Sequence, residues 1–288
     1  MKKIVLLFAA VLFVVGATMA QSKDYQSDVT ISGNSDDNEV KVSQTLYGNE
    51  LNVSDVSITD NSDDNEVTVE QEGEDQESYV DIFDNASGNE VNVDQDDEEQ
   101  YSEVIIGESS YDNEVDVDQE GEGNGSYVGI GVESSGNEVD VEQDGEGNGS
   151  AVGIVYGSNG NDVTIDQDGE DNYSEALILF GSNGNDINVD QNGEDNQSFA
   201  GIAEDSNGND IDVDQDGEDL SSFVGIAEES DGNDVEIDQY GRNHESSVDI
   251  YDASSYNDVM VDQDGNYSTS DIEISNSSDG NYIEVGQK

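Results

Sequence analysis

Asn137 to Gly160 reads NEVDVEQDGEGNGSAVGIVYGSNG, and this stretch decides the fold. Val139, Val141 and Gln143 alternate with Glu138, Asp140 and Glu142. That is a period of two, in which neighbours point to opposite faces of a strand. Asp144 to Gly149 is rich in Gly, Asp and Asn and reads as a turn. A second alternating run puts Ser150, Val152 and Ile154 inward and Ala151 and Gly153 outward, and Gly157 to Gly160 turns the chain again. One unit is therefore strand, turn, strand, turn. A helix is excluded, because the apolar period is two and Gly is frequent.

Outward from this stretch, the unit recurs every 24 residues. Its copies begin at Asn65, Asn89, Asn113, Asn137, Asn161, Asn185, Asn209, Asn233, Asn257 and Asn281. Six residues after each stands Gln71, Gln95, Gln119, Gln143, Gln167, Gln191, Gln215, Gln239, Gln263 or Gln287. Asn38 and Gln44 form the same pair upstream, 27 residues before the next, so that copy carries three extra residues around Tyr47 to Asn49. An invariant short period marks a stacked architecture in which each repeat is one rung. The expected fold is all-β: a two-sheet, cross-β solenoid with rungs ~4.8 Å apart. Two facing strands alone are marginal in water, so stacking must supply the stability. The Asn and Gln series is the predicted structural ladder, each amide donating to and accepting from its own copies. The chain has no Pro, and each Pro would remove a ladder donor.

Residues 1–20 read as a secretory signal, with Lys2 and Lys3, an apolar stretch from Ile4 to Val15, and small residues at Thr18 and Ala20. The stretch is shorter than the roughly 20 residues that span a bilayer. Residues 21–37 hold a lone second strand (Ser27, Val29, Ile31), 38–280 ten rungs, and 281–288 a lone first strand (Asn281, Ile283, Val285, Gln287). Neither end shows a polar cap. Head-to-tail stacking of copies completes a rung across such a junction.

Six basic residues face 72 acidic ones, for a formal net charge of −66. Nucleic acid and anionic membrane surfaces are excluded as partners by repulsion. No segment beyond the signal is apolar enough for membrane insertion. With no Cys, the fold relies on no disulfides. Such charge ordinarily accompanies disorder, but disordered chains need no regular apolar period.

Stacking aligns like with like. Glu114, Glu138, Asp162 and Asp186 fall in one column, and Asp118, Glu142, Asp166 and Asp190 in another. Neighbours ~4.8 Å apart repel by about 0.9 kcal/mol in bare water. Summed down both columns, this rivals the stability of an ordinary domain. Screening must intervene, through concentrated salt, divalent cations or low pH. Diffuse Ca²⁺ or other cation binding between stacked carboxylates is one route. A dedicated Ca²⁺ loop is not: Asp212, Asp214, Asp216 and Gly217 start an EF-hand pattern, but Phe223 stands where the final Glu belongs.

No catalytic, cofactor-binding or metal site is predicted. His244 replaces a turn Asn and has no nucleophile–base partner nearby. The paired carboxylates sit at exposed strand positions, without the burial that separates two pKa values. Asn124, Asn148, Asn172 and Asn196 match a glycosylation triplet, but they follow from the repeat and read as ladder and turn chemistry. Tyr79, Tyr127 and Tyr173 face outward, as lateral contacts or as ordinary strand formers.

The series Asn113, Gln119, Gly121, Gly123, Asn124, Ser126 and its copy Asn137, Gln143, Gly145, Gly147, Asn148, Ser150 resemble the curlin repeat of curli fibres. The copies at Asn161 and Asn185 keep Gln167, Gly169, Asn172, Ser174 and Gln191, Gly193, Asn196, Ser198. The resemblance implies a secreted, non-enzymatic subunit of extracellular amyloid fibres serving cell adhesion and biofilm matrix. It also implies a homopolymer, a related nucleator and an outer-membrane export pore. This chain departs by its acidity and by Ile130, Ile154 and Ile178 where the family often has a second Gln. The residues themselves leave one alternative: a monomeric acidic cell-surface solenoid acting as adhesin or cation-binding spacer.

Overall fold

The computed structural model describes residues 25–47 and 51–288. The signal reading at 1–20 lies outside the described residues, as do Gly48 and Asn49. The described chain forms two parallel sheets of 11 strands each. The first sheet runs from strand Gln26–Ile31 to strand Thr269–Ile274, and the second from Glu39–Leu46 to Tyr282–Gln287. Successive strands alternate between the sheets, so the chain climbs one rung per circuit. Eleven strands at ~4.8 Å make a column roughly 50 Å tall.

Register follows the repeat. Val139 pairs with Val163 and Gln143 with Gln167, an offset of 24. At the base Val40 pairs with Val67, an offset of 27, and Val53 with Glu77 restores 24. The three extra residues therefore fall between Leu46 and Val53.

Between the sheets lies one aliphatic ribbon. Val139, Val141, Val152 and Ile154 are each at most 1% exposed, and their copies continue the cluster from Val40 to Ile274. β-branched side chains suit this pleated, closely spaced surface. Strand burial alternates throughout, as in Glu138–Glu146.

The first turn is shorter than the sequence indicates. The strand continues through Asp144 and Gly145 to Glu146, where a turn had been expected, and only Gly147 and Asn148 separate it from Gly149–Val155. Gly145 makes this possible. Its φ is 115°, and a Cβ there would fall 2.1 Å from the carbonyl oxygen of Gly169 in the next rung. Glycine composition signalled a break, whereas here it permits close rung-to-rung approach within the ladder.

The turns stack as well. Gly147 N donates to Glu122 O (2.9 Å) and Glu133 N to Glu108 O (2.9 Å). The second turn holds two consecutive residues at positive φ in most rungs, such as Glu204 and Asp205 or Glu228 and Glu229. Val132 occupies this left-handed conformation with φ 56°, which a β-branched residue strongly disfavours. Val132→Gly is expected to stabilise the fold by about 1 kcal/mol, measured as a higher urea midpoint; an unchanged or lower midpoint contradicts the strain argument.

Candidate functional site

Amide columns run the height of the solenoid. Gln119 Nε2 donates to Gln143 Oε1 (2.7 Å), Gln143 to Gln167 (2.8 Å), and so on upward from Gln44 to Gln287. The second N–H crosses the core: Gln143 Nε2 donates to Gly125 O (3.2 Å) on the first sheet. Each Gln from Gln44 to Gln263 thereby bonds the rung above, and every one of them, Gln287 included, stitches the two sheets together.

The Asn column runs in the opposite sense. Asn137 Nδ2 donates to Asn113 Oδ1 (2.9 Å), and the same oxygen accepts the backbone N–H of Asn137 (3.1 Å). The pattern holds from Asn38 to Asn281. Gln donates toward the C-terminal end and Asn toward the N-terminal end, so the amide dipoles of the two columns oppose and partly cancel. From Asn65 to Asn257 and from Gln71 to Gln263 these amides are at most 2% exposed. Asn281 and Gln287, in the last strand, lie more open to solvent.

A third polar column lines the first turn. Asn148 Nδ2 donates to Asp144 O (2.9 Å) and Gly169 O (3.1 Å), so this glycosylation-type amide is already engaged. His244 takes the same place in its rung. It is 1% exposed, its Nε2 lies 3.1 Å from Tyr240 O, and its Nδ1 accepts the backbone N–H of Ser268 (3.1 Å). The imidazole thus mimics a turn Asn.

Sequence reasoning missed a fourth column, in the second turn. Ser110, Ser134 and Ser158 are buried; Ser134 Oγ donates to Gly131 O (2.9 Å) and accepts the N–H of Ser158 (3.2 Å). Its signal was available, since Ser recurs every 24 residues from Ser110 to Ser278. The inward Ser126, Ser150 and Ser174 differ, because their hydroxyls are buried without a partner among the described residues.

The carboxylate columns stand on the second sheet's outer face, with Glu138 beside Asp162 and Glu142 beside Asp166. The expectation that these groups escape desolvation does not hold. Packing beside neighbouring side chains, then repulsion from Asp166, pushes the Asp190 carboxyl up. Asp118 and Asp214 shift the same way for the same leading reason. For Glu138 and Glu142 repulsion leads, from Asp162 and Asp166 respectively. Asp238 is pushed up to about 6, chiefly by desolvation and then by Glu236 and Asp214. The few cations relieve this locally: Lys41 pairs with Glu70, and Arg242 with Glu218 at 2.6 Å. Among the described residues no group of three or more His, Cys, Asp or Glu side chains converges to hold a metal ion.

Four segments, residues 63–96, 112–145, 134–169 and 231–265, match the family model described as the Curlin associated repeat. The chain carries curlin-associated repeats. The segments between them keep the same register, as in Gln191 paired with Gln215. The curlin repeat is a structural, non-enzymatic module. No curated protein matches the chain at a significant level.

Two outcomes test this site. Gln143→Leu strands the Gln119 donor, the Gln167 acceptor and Gly125 O. It is expected to cost about 3 kcal/mol in urea unfolding, and a loss under about 0.5 kcal/mol contradicts a structural amide column. The second is pH dependence. Carboxyls whose folded pKa is raised bind more protons folded than unfolded, so they destabilise the fold as pH rises through the shifted range. Between an ordinary 3.8 and the value of about 6 for Asp238, stability should fall with rising pH. The urea midpoint should be higher at pH 4.5 than at pH 7; a lower one contradicts the column electrostatics.

Proposed function

We propose that the chain, after removal of residues 1–20, is a secreted structural subunit that stacks head-to-tail into extracellular curli-like fibres for cell adhesion and biofilm matrix. The observation that carries this reading is the matching register of the two ends. Strand Thr269–Ile274 and strand Gln26–Ile31 belong to one sheet, and Tyr282–Gln287 and Glu39–Leu46 to the other. Each of the four has a single strand neighbour among the described residues. Stacked with the 24-residue register, a second copy sets Val40 over Ile283, Val42 over Val285 and Gln44 over Gln287. The upward Gln donors and downward Asn donors continue unbroken, with Gln287 donating to Gln44 and Asn38 to Asn281. Lys41, which also pairs with Glu70 in its own copy, then faces Glu284, so the junction adds an opposite-charge contact rather than another pair of like charges. A curli-type nucleator and outer-membrane export pore would be the partners.

Fibres should grow faster in molar salt, with divalent cations or near pH 4.5 than in dilute neutral buffer with chelator, because the Debye length falls from ~8 Å at physiological salt to ~3 Å at 1 M. Removing residues 281–288 takes away one face of the junction. Growth followed by an amyloid dye and electron microscopy should slow markedly, and unchanged growth contradicts this junction. A chain that stays single under every condition supports the monomeric acidic spacer instead.

A further inference from the structure

The two outer faces of the solenoid differ sharply in charge. On the second sheet, from Glu114–Glu122 to Asp234–Arg242, outward positions are carboxylates except at Thr164, Asn188, Asn192, Tyr240 and Arg242. Over the same height, the first sheet presents only Glu103 and Glu175 as charges, from Tyr101–Ile106 to Ser221–Ile226. The remaining outward residues there are aromatic, aliphatic, Gly, Ser or Gln.

This near-neutral face is also low in relief. A Cβ at Gly201 would lie 3.0 Å from Phe199 Cε1, and one at Gly225 3.2 Å from Phe223 Cε1 and 3.0 Å from Asp249 Oδ1 of the next strand, where the neutral patch ends. The rings thus lean along their strands over the neighbouring glycines. Tyr127 does the same over Gly129, where a Cβ would lie 3.2 Å from its hydroxyl oxygen. Tyr127, Tyr173 and Phe223 nevertheless remain 41%, 45% and 40% exposed. Contiguous exposed apolar surface of this kind marks an interaction site.

We propose that two copies of this chain pair laterally, back to back, through the outer face of the first sheet. Charge selects the occupant. A copy of the same acidic chain can approach without strong repulsion only where both surfaces are nearly neutral, and the six central strands of this face meet that condition, whereas its flanks carry Asp55, Glu77 and Asp81 toward one end and Glu245, Asp249, Asp271 and Glu273 toward the other. Sheets pack ~10 Å apart, so the two acidic faces end up roughly 30 Å from each other. That exceeds the ~8 Å Debye length at physiological salt. Area agrees as well. Six strands of about seven residues offer roughly 650 Å² per copy, so a pair buries about 1,300 Å², within the range of stable interfaces. A neutral glycan fits less well. Phe199 and Phe223 already cover each other's faces, 5.0 Å apart and 6° from parallel, which occupies surfaces a sugar ring would stack on.

Lateral pairing does not depend on head-to-tail growth, and the test separates the two. The mature chain is measured as fibre, by mass per length, and before assembly, by sedimentation, both in molar salt. Expected are two chains per column height in fibres and a dimer in solution. The triple variant Tyr127→Asp, Phe199→Asp, Phe223→Asp should halve both masses. The control Thr164→Asp, Asn188→Asp, Asn192→Asp adds the same charge to the acidic face and should change neither. A single-column wild type overturns the proposal, as does a triple variant that stays paired. Single copies that bind a neutral polysaccharide through this face overturn it too. If no fibres form, sedimentation alone decides, and only the head-to-tail reading fails.

Discussion

Everything in this molecule rests on hydrogen bonding between successive rungs. A single rung buries about four aliphatic side chains, too few to hold two strands together in water. Parallel backbone pairing continues through both sheets and through the turns, as with Gly147 on Glu122 and Glu133 on Glu108. The Gln and Asn columns add side-chain bonds along the same axis, and from Asn65 to Asn257 and Gln71 to Gln263 each buried amide finds both donor and acceptor partners. This stacking forces the carboxylates into columns and raises the pKa of groups such as Asp190 and Asp238. Cohesion and repulsion therefore arise from one geometric fact, which ties stability to salt and pH.

Period alone made the fold legible. Alternation in Val139 to Gln143 gave the strand, and recurrence after 24 residues gave the register. The Asn and Gln of the columns were readable because a polar residue at an inward position demands a partner. The first turn was misread, since Gly145 looks the same in sequence whether it breaks a strand or lets two rungs approach. The hydroxyl column at Ser134 was overlooked because Ser is unremarkable in a turn, and only its register shows that Ser158 bonds to it. The carboxylates were misjudged for a related reason. Alternation says which side of a strand a group faces, but not how closely its neighbours crowd it.

The solenoid is two-faced in a way that averaged composition conceals. Over the middle rungs the second sheet's exterior is almost entirely carboxylate, while the first sheet keeps Gly, aliphatic and aromatic residues there, and its acids gather toward the two ends, as at Asp81 and Asp249. A column uniformly acidic on both faces could lengthen but could not associate sideways. His244 fits the same economy of register, since its ring keeps the turn bonded where the usual amide is missing.

The central claim is that equivalent residues of successive repeats lie directly above one another. Since the chain has no Cys, Ala151→Cys and Ser247→Cys introduce two unique attachment sites for spin labels. Both positions face outward, and the residues lie four rungs apart. Pulsed dipolar spectroscopy should give one narrow distance near 19 Å, four spacings of ~4.8 Å. A broad distribution centred at several tens of Å, as for a flexible chain of 96 residues at roughly 55 Å, would contradict the stacked column.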